Sequence, residues 1–169
     1  MASTTSTQKI FFLLLSSFAI IRMASAGDPD ITSDFITPSN VTGPVDGNFF
    51  TFIGMRVLVG AQPTPNLKVT KASMAEFPAL NGQSVSLAVL QFPAGTTNPP
   101  HTHPRSAELL FLIDGSLQVG FLDTTNKLYS QTLQGGDMFV FPKGLVHFQY
   151  NADTQKPATH YKKYGFSND

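Results

Sequence analysis

The sequence predicts an all-β chain, an antiparallel sandwich or barrel, and three observations carry that expectation. Short runs rich in aliphatic, aromatic and β-branched residues recur between residues 49 and 150. Turn-forming pairs such as Asn81-Gly82, Asp114-Gly115 and Gly135-Gly136 fall between runs. No long stretch carries the 3.6-residue apolar period of an amphipathic helix.

Taken in order, residues 1–26 read as a secretory signal peptide. Lys9 precedes the apolar run "IFFLLLSSFAII", and "ASA" ending at Ala26 is a small-x-small cleavage signal. The run is shorter than the roughly 20 apolar residues a spanning helix needs. Residues 27–47, rich in Asp, Pro, Ser, Thr and Gly, read as an extended N-terminal arm. A compact domain is expected over 48–158. Its first strand is expected in "FFTFIGMRVLVG" (49–60), followed by a short helical turn in "TKASMAEFPAL" (70–80). Further strands are expected in "SVSLAVLQF", "AELLFLI", "SLQVGFL", "KLYSQTL", "MFVF" and "LVHFQY". The stretch 159–169 is polar and reads as a tail without a strand. Within "AELLFLI", Glu108, Leu110 and Leu112 share one face and Leu109, Phe111 and Ile113 the other. One face can line a barrel; the other needs a second sheet, the arm or another subunit.

Charge narrows the function. The 169 residues hold 11 basic and 11 acidic side chains, and removal of Lys9 and Arg22 with the signal peptide leaves 9 against 11, a net charge of −2. That balance points to neither nucleic acid nor an anionic membrane as partner. The chain has no cysteine, so it holds neither a disulfide nor a thiolate metal ligand. Asn40-Val41-Thr42 is a glycosylation acceptor on a secretory route.

The chemistry concentrates in "PPHTHPRSAELLFLIDG" (99–115). On a strand, His101 and His103 present both imidazoles to one side. Pro99, Pro100 and Pro104 restrict the backbone around them and lower the entropy lost on fixing them. Glu108 opens the most apolar run in the chain, where a bare carboxylate is costly to ionise; it needs a positive partner, a proton or a metal cation. Arg105 is the basic residue near it in sequence. His147 offers a third imidazole on the same face as Gln149. Three histidines and one glutamate, without sulfur, suit a six-coordinate Mn(II) ion, or iron, with positions left open for water or substrate. Zinc favours fewer ligands. A lone His-x-His pair occurs in ordinary loops, and His147 alone reads equally well as a core histidine. His160, in the polar tail, is expected to be solvated.

These residues resemble the two sequence elements of plant germin-like proteins of the cupin superfamily. The first element is Gly95, five residues, His101-Thr102-His103, four residues, Glu108, six residues, Gly115. The second is Gly136, five residues, Pro142-Lys143-Gly144, two residues, His147, three residues, Asn151. With Thr102 and Lys143 at unspecified positions, all ten specified identities are present. The lead-in "DPDITSDF" and "FPALNGQSVSLAVLQFPAG" are similar to germins as well. The resemblance implies a jelly-roll β-barrel and a manganese ion held by His101, His103, Glu108 and His147. It also implies secretion to the apoplast and cell wall, a hexamer built from dimers, and superoxide dismutase or oxalate oxidase activity, with roles in defence. Some germin-like relatives are described as auxin-binding or receptor-like, which implies an alternative as a non-catalytic binder of a small acid.

Three departures accompany it. Ile36 stands where germins carry a cysteine after "DF". Of two pocket asparagines that oxalate oxidases share, Asn98 matches one and Ala88 replaces the other, which weighs against oxalate oxidation because the substrate oxygens lose a partner. Past about Ala158 the sequence diverges from the family's, so the last strands and C-terminal helices of the family are expected to be missing.

Overall fold

A computed structural model describes Ile31 and residues 33–165. The expected signal peptide therefore lies outside the described residues, as do the first residues of the arm. Among the described residues nine strands follow one another: β1 (Lys68–Ala72), β2 (Val85–Phe92), β3 (Thr97–His101), β4 (Ala107–Asp114), β5 (Ser116–Leu122), β6 (Leu128–Gln134), β7 (Met138–Phe141), β8 (His147–Tyr150) and β9 (Ala158–Gly165). They form two sheets, β1-β2-β9-β4-β7 and β3-β8-β5-β6. Every pairing is antiparallel. The expected all-β jelly-roll architecture is what the chain adopts.

The core lies between the sheets. Ala88, Leu90 and Phe92 of β2, Leu110 and Leu112 of β4, Leu117 and Val119 of β5, Leu133 of β6 and Phe141 of β7 form one buried cluster. Burying each large side chain contributes about 1.5–3 kcal/mol. The two-residue alternation of β4 settles its facing: Glu108, Leu110 and Leu112 are buried, whereas Leu109, Phe111 and Ile113 stand 37 to 39% exposed on the outside. Leu87, Met138 and Val140 share that face and are also exposed, so the outer side of this sheet carries a group of exposed apolar side chains in the single chain.

Glycine is required at the β4–β5 turn. Gly115 has φ +88°, and a Cβ there would lie 2.7 Å from the Pro157 carbonyl oxygen and 2.9 Å from Ala158 Cα. The turn thus holds the start of β9 against the β4–β5 hairpin.

Three segments differ from expectation. "FFTFIGMRVLVG" forms no strand; a 3-10 helix occupies Gly54–Leu58. Its aromatic residues pack locally, Phe35 on Phe50 at 5.1 Å, Phe49 on Phe50 at 5.0 Å and Phe52 on Phe77 at 5.4 Å. Aromatic enrichment there serves a loop cluster rather than a ladder. In "TKASMAEFPAL", residues 70–72 complete β1, and the turn that follows is tied by Ser73 and Glu76 before a 3-10 helix at Pro78–Leu80.

The third difference is the largest. The stretch from Thr159 that reads as a polar tail is the middle strand of the five-stranded sheet, hydrogen-bonded to β2 on one side and β4 on the other. His160 is fully buried rather than solvated, stacked on Phe92 at 5.2 Å. Ala158, His160 and Lys162 alternate inward, and the inward set contains two polar residues, which conceals the strand from a search for apolar alternation.

Because β9 separates β1-β2 from β4-β7, a chain ending at Pro157 should lose the sheet. Such a chain is expected to show no cooperative thermal transition and no dispersed amide spectrum. A two-state melt near that of the longer chain would contradict the role given to β9.

Candidate metal centre

The site sits at one end of the space between the sheets, where β3, β8 and β4 bring four side chains together. His101 is the last residue of β3 and pairs with His147, the first of β8. The β3 register shifts between Asn98 and His101, where Pro99 and Pro100 lack the amide hydrogens a regular ladder needs. His103 lies just past β3, in a turn fastened by Ser106 N–H to the His103 carbonyl (3.4 Å) and by Gly144 N–H to the same oxygen (3.1 Å). Simple strand alternation is therefore not what joins His101 and His103. A proline-shaped strand end and a turn held by the "PKG" loop do so.

Ligand atoms of His101, His103, Glu108 and His147 all lie within 4.8 Å of one another. The ring centroids of His101 and His147 are 4.3 Å apart, and His147 stacks on Phe141 at 4.4 Å. The sequence-predicted quartet is brought together as a unit.

Two hydrogen bonds define its chemistry. His101 Nδ1 lies 2.8 Å from the Pro99 carbonyl oxygen and His147 Nδ1 lies 2.9 Å from that of Leu145. A carbonyl only accepts, so each Nδ1 carries the proton, and in the neutral ring Nε2 presents a lone pair. His147 Nε2 is buried and stands 3.4 Å from Glu108 Oε2; His103 Nε2 stands 3.3 Å from the same oxygen. A lone pair facing a carboxylate oxygen is stabilised by a shared cation between them or by a second proton on the ring. The donor set and its tautomers fit a divalent metal, and backbone carbonyls orienting Nδ1 are the usual support of metal-bound imidazole.

Burial lowers the His101 pKa to about 4, with Lys162 adding to the effect and the Pro99 contact opposing it, so the ring is neutral, its ligating form, at ordinary pH. For Glu108 burial alone raises the pKa. The imidazoles of His103 and His147 and the Lys162 ammonium outweigh it and hold the carboxyl well below its usual range.

Lys162 corrects the expectation that Arg105 is the basic residue available to Glu108. Arg105 is exposed, whereas Lys162 Nζ donates to Glu108 Oε2 at 3.1 Å and forms an ion pair with Oε1 at 3.0 Å. Lys162 is 1% exposed, and burial pulls its pKa down while Glu108 pushes it up. Gln149, named in the sequence only as sharing the His147 face, donates from Nε2 to Glu108 Oε1 at 2.8 Å. Asn98, the expected pocket donor, gives its amide hydrogen to Gln149 Oε1 at 2.6 Å. Ala88 is buried beside Lys162 in the β2–β9 register. Asn40 lies exposed in the turn closed by Val41 N–H on the Pro38 carbonyl.

Asn151, the last residue of the second sequence element, is structural. Its buried side-chain amide donates to the carbonyls of Phe92, Pro93 and Lys156, and its Oδ1 accepts from Asp153 N–H.

An antiparallel barrel with three histidines and a glutamate converging at one end defines a cupin. The Cupin family model matches residues 63–163. Germin-like protein 9-3 of Oryza sativa subsp. japonica is 59% identical over 143 residues, which are 81% of this chain and 67% of that protein. The chain belongs to the plant germin-like proteins of the cupin family. Among solved structures, a recombinant oxalate oxidase in complex with glycolate superposes with a TM-score of 0.70 at 32% identity, covering 83% of this chain and 78% of that one. Peruvianin-I, described as a cysteine peptidase from Thevetia peruviana latex, superposes with a TM-score of 0.72 at 27% identity, covering 83% and 94%. With no cysteine, the present chain has no thiol nucleophile.

Burial holds the His160 pKa down to about 3, below its ordinary 6.5, with the Lys162 charge acting in the same direction. The unfolded chain takes up that proton first as pH falls, so the associated stability is complete above about pH 6.5 and drains away toward pH 3, at about 1.4 kcal/mol per pH unit. Thermal unfolding followed from pH 7 to pH 4 should show a falling melting temperature, and His160→Phe should flatten the fall. An identical slope in the variant would remove His160 as its origin.

Proposed function

We propose that the chain is a secreted metalloprotein of the plant cell wall space that holds manganese, with iron as the alternative, through His101, His103, Glu108 and His147, and that this centre carries superoxide dismutase-type redox activity with a role in defence. The observation that supports it is the convergence of four ligand atoms within 4.8 Å, with the Nδ1 positions of His101 and His147 engaged by backbone carbonyls. Manganese would supply one-electron redox cycling. The chain's own residues present neutral imidazole lone pairs, hold the carboxylate ionised, and through Gln149 and Asn98 fix its orientation. The apolar run at residues 10–21 and the exposed Asn40 turn support secretion with a glycan at Asn40. Among the described residues, no helix is long and apolar enough to cross a membrane. The exposed apolar face of the five-stranded sheet supports a homo-oligomer, the family's hexamer, that covers it.

Oxalate oxidation is the weaker enzymatic reading. Asn98 is engaged by Gln149, and Ala88 offers no polar group. The second reading is a non-catalytic receptor or binder of a small, auxin-like acid. It is favoured by Lys162, which already neutralises Glu108 and places a cation in the barrel.

Metal analysis of the purified mature protein should find about one manganese or iron per chain, and His101→Ala or His147→Ala should remove it. Loaded protein should turn over superoxide; full loading without turnover would leave the binding reading in place of the redox one. Metal should be released as pH falls and the imidazoles protonate, so retention unchanged down to carboxylate protonation would contradict ligation by these rings.

A further inference from the structure

The carboxylate that the imidazoles face is also held by a lysine. Lys162 reaches Glu108 from the middle of β9, its stem flanked in register by Ala88 of β2 and Leu110 of β4. Both partners are buried, the lysine 1% and the glutamate 1% exposed. Glu108 Oε1 accepts from Gln149 Nε2 and meets Lys162 Nζ, while Oε2 meets Lys162 Nζ and the Nε2 atoms of His103 and His147. Gln149 and Lys162 thus supply three of the roughly four contacts a carboxylate accepts, and the imidazole Nε2 atoms face Oε2. Oε2 is the carboxylate oxygen that the His103 and His147 Nε2 atoms face, and Nζ sits on the same oxygen.

We infer that Lys162 is an internal competitor for the metal: its side chain occupies the ligand carboxylate of Glu108, so that loading requires Nζ to yield Oε2, and this exchange sets the affinity of the centre. The inference rests on the reading of the quartet as a metal site and adds to it a residue outside the two sequence elements that define the ligands. Lys162 is a positioning residue. It touches the carboxylate and acts on the metal through it. The small side chain of Ala88 is part of the same arrangement, because a larger residue opposite Lys162 would crowd the lysine stem. The close pairing also makes the metal-free barrel self-sufficient, since the buried acid has a cation when no metal is bound.

The test compares Mn(II) dissociation constants, by calorimetry on the metal-stripped mature chain, for the wild type, Lys162→Met and Lys162→Gln. Methionine removes the charge at similar length. Glutamine keeps a donor for Glu108 and covers the case in which the methionine variant fails to fold. Either folded variant is expected to bind Mn(II) at least about tenfold more tightly than wild type. A readout free of substitution accompanies it: in 15N-lysine-labelled wild type, the slowly exchanging Lys162 ammonium signal should shift or vanish when diamagnetic Zn(II) fills the site. Equal or weaker Mn(II) binding in the folded variants, with an ammonium signal indifferent to saturating Zn(II), overturns the competitor role and leaves the metal site standing. No binding in any of the three proteins overturns both.

Discussion

The structure is organised around one buried carboxylate. Glu108 lies in the apolar interior of a strand whose other inward residues are Leu110 and Leu112, a place where an ionised acid without partners would cost several kcal/mol. A buried ammonium and a side-chain amide answer that cost. Lys162 and Gln149 donate to it, and His103 and His147 bring Nε2 to Oε2. Asn98 secures Gln149 from behind. Removing any one of these leaves a desolvated charge less well matched, which is why a polar cluster so deep in a barrel is held by residues from four different strands and a turn.

The sheet and the site depend on each other through β9. The strand supplies the hydrogen bonds that join β2 to β4, and its inward positions carry His160 and Lys162 into the space between the sheets. Two polar side chains at such positions would ordinarily weaken a core. Lys162 is compensated by Glu108, whereas the nitrogens of His160 have no hydrogen-bond partner, and its ring is stabilised by stacking on Phe92. The cost of keeping His160 neutral is small at ordinary pH and grows in acid.

How far the sequence was legible follows from these particulars. The quartet was readable because His-x-His, Glu108 and His147 have rigid spacing around turn signals, and strands β2 and β4 to β8 were readable from their apolar runs, whereas β3, "TNPPH", has none. Residues 49–60 misled because aromatic and β-branched residues also serve a cluster within a loop. The β9 strand was missed because its inward face carries a histidine and a lysine, and the partner that makes them tolerable stands 54 positions away, at Glu108. Nothing local to "ATHYKK" announces that pairing. Joining His160 and Lys162 to Glu108 required the three-dimensional neighbourhood.

Asn151 gives the arrangement a further consequence. Its side-chain amide clasps the carbonyl of Lys156, two residues before β9 begins, together with those of Phe92 and Pro93 at the end of β2. That clasp fixes the phase of β9. A slip by a single residue would turn every inward side chain outward, exchanging Lys162 and His160 for their sequence neighbours. Which charge the interior of this protein contains is thus decided by an uncharged amide at the far end of the strand.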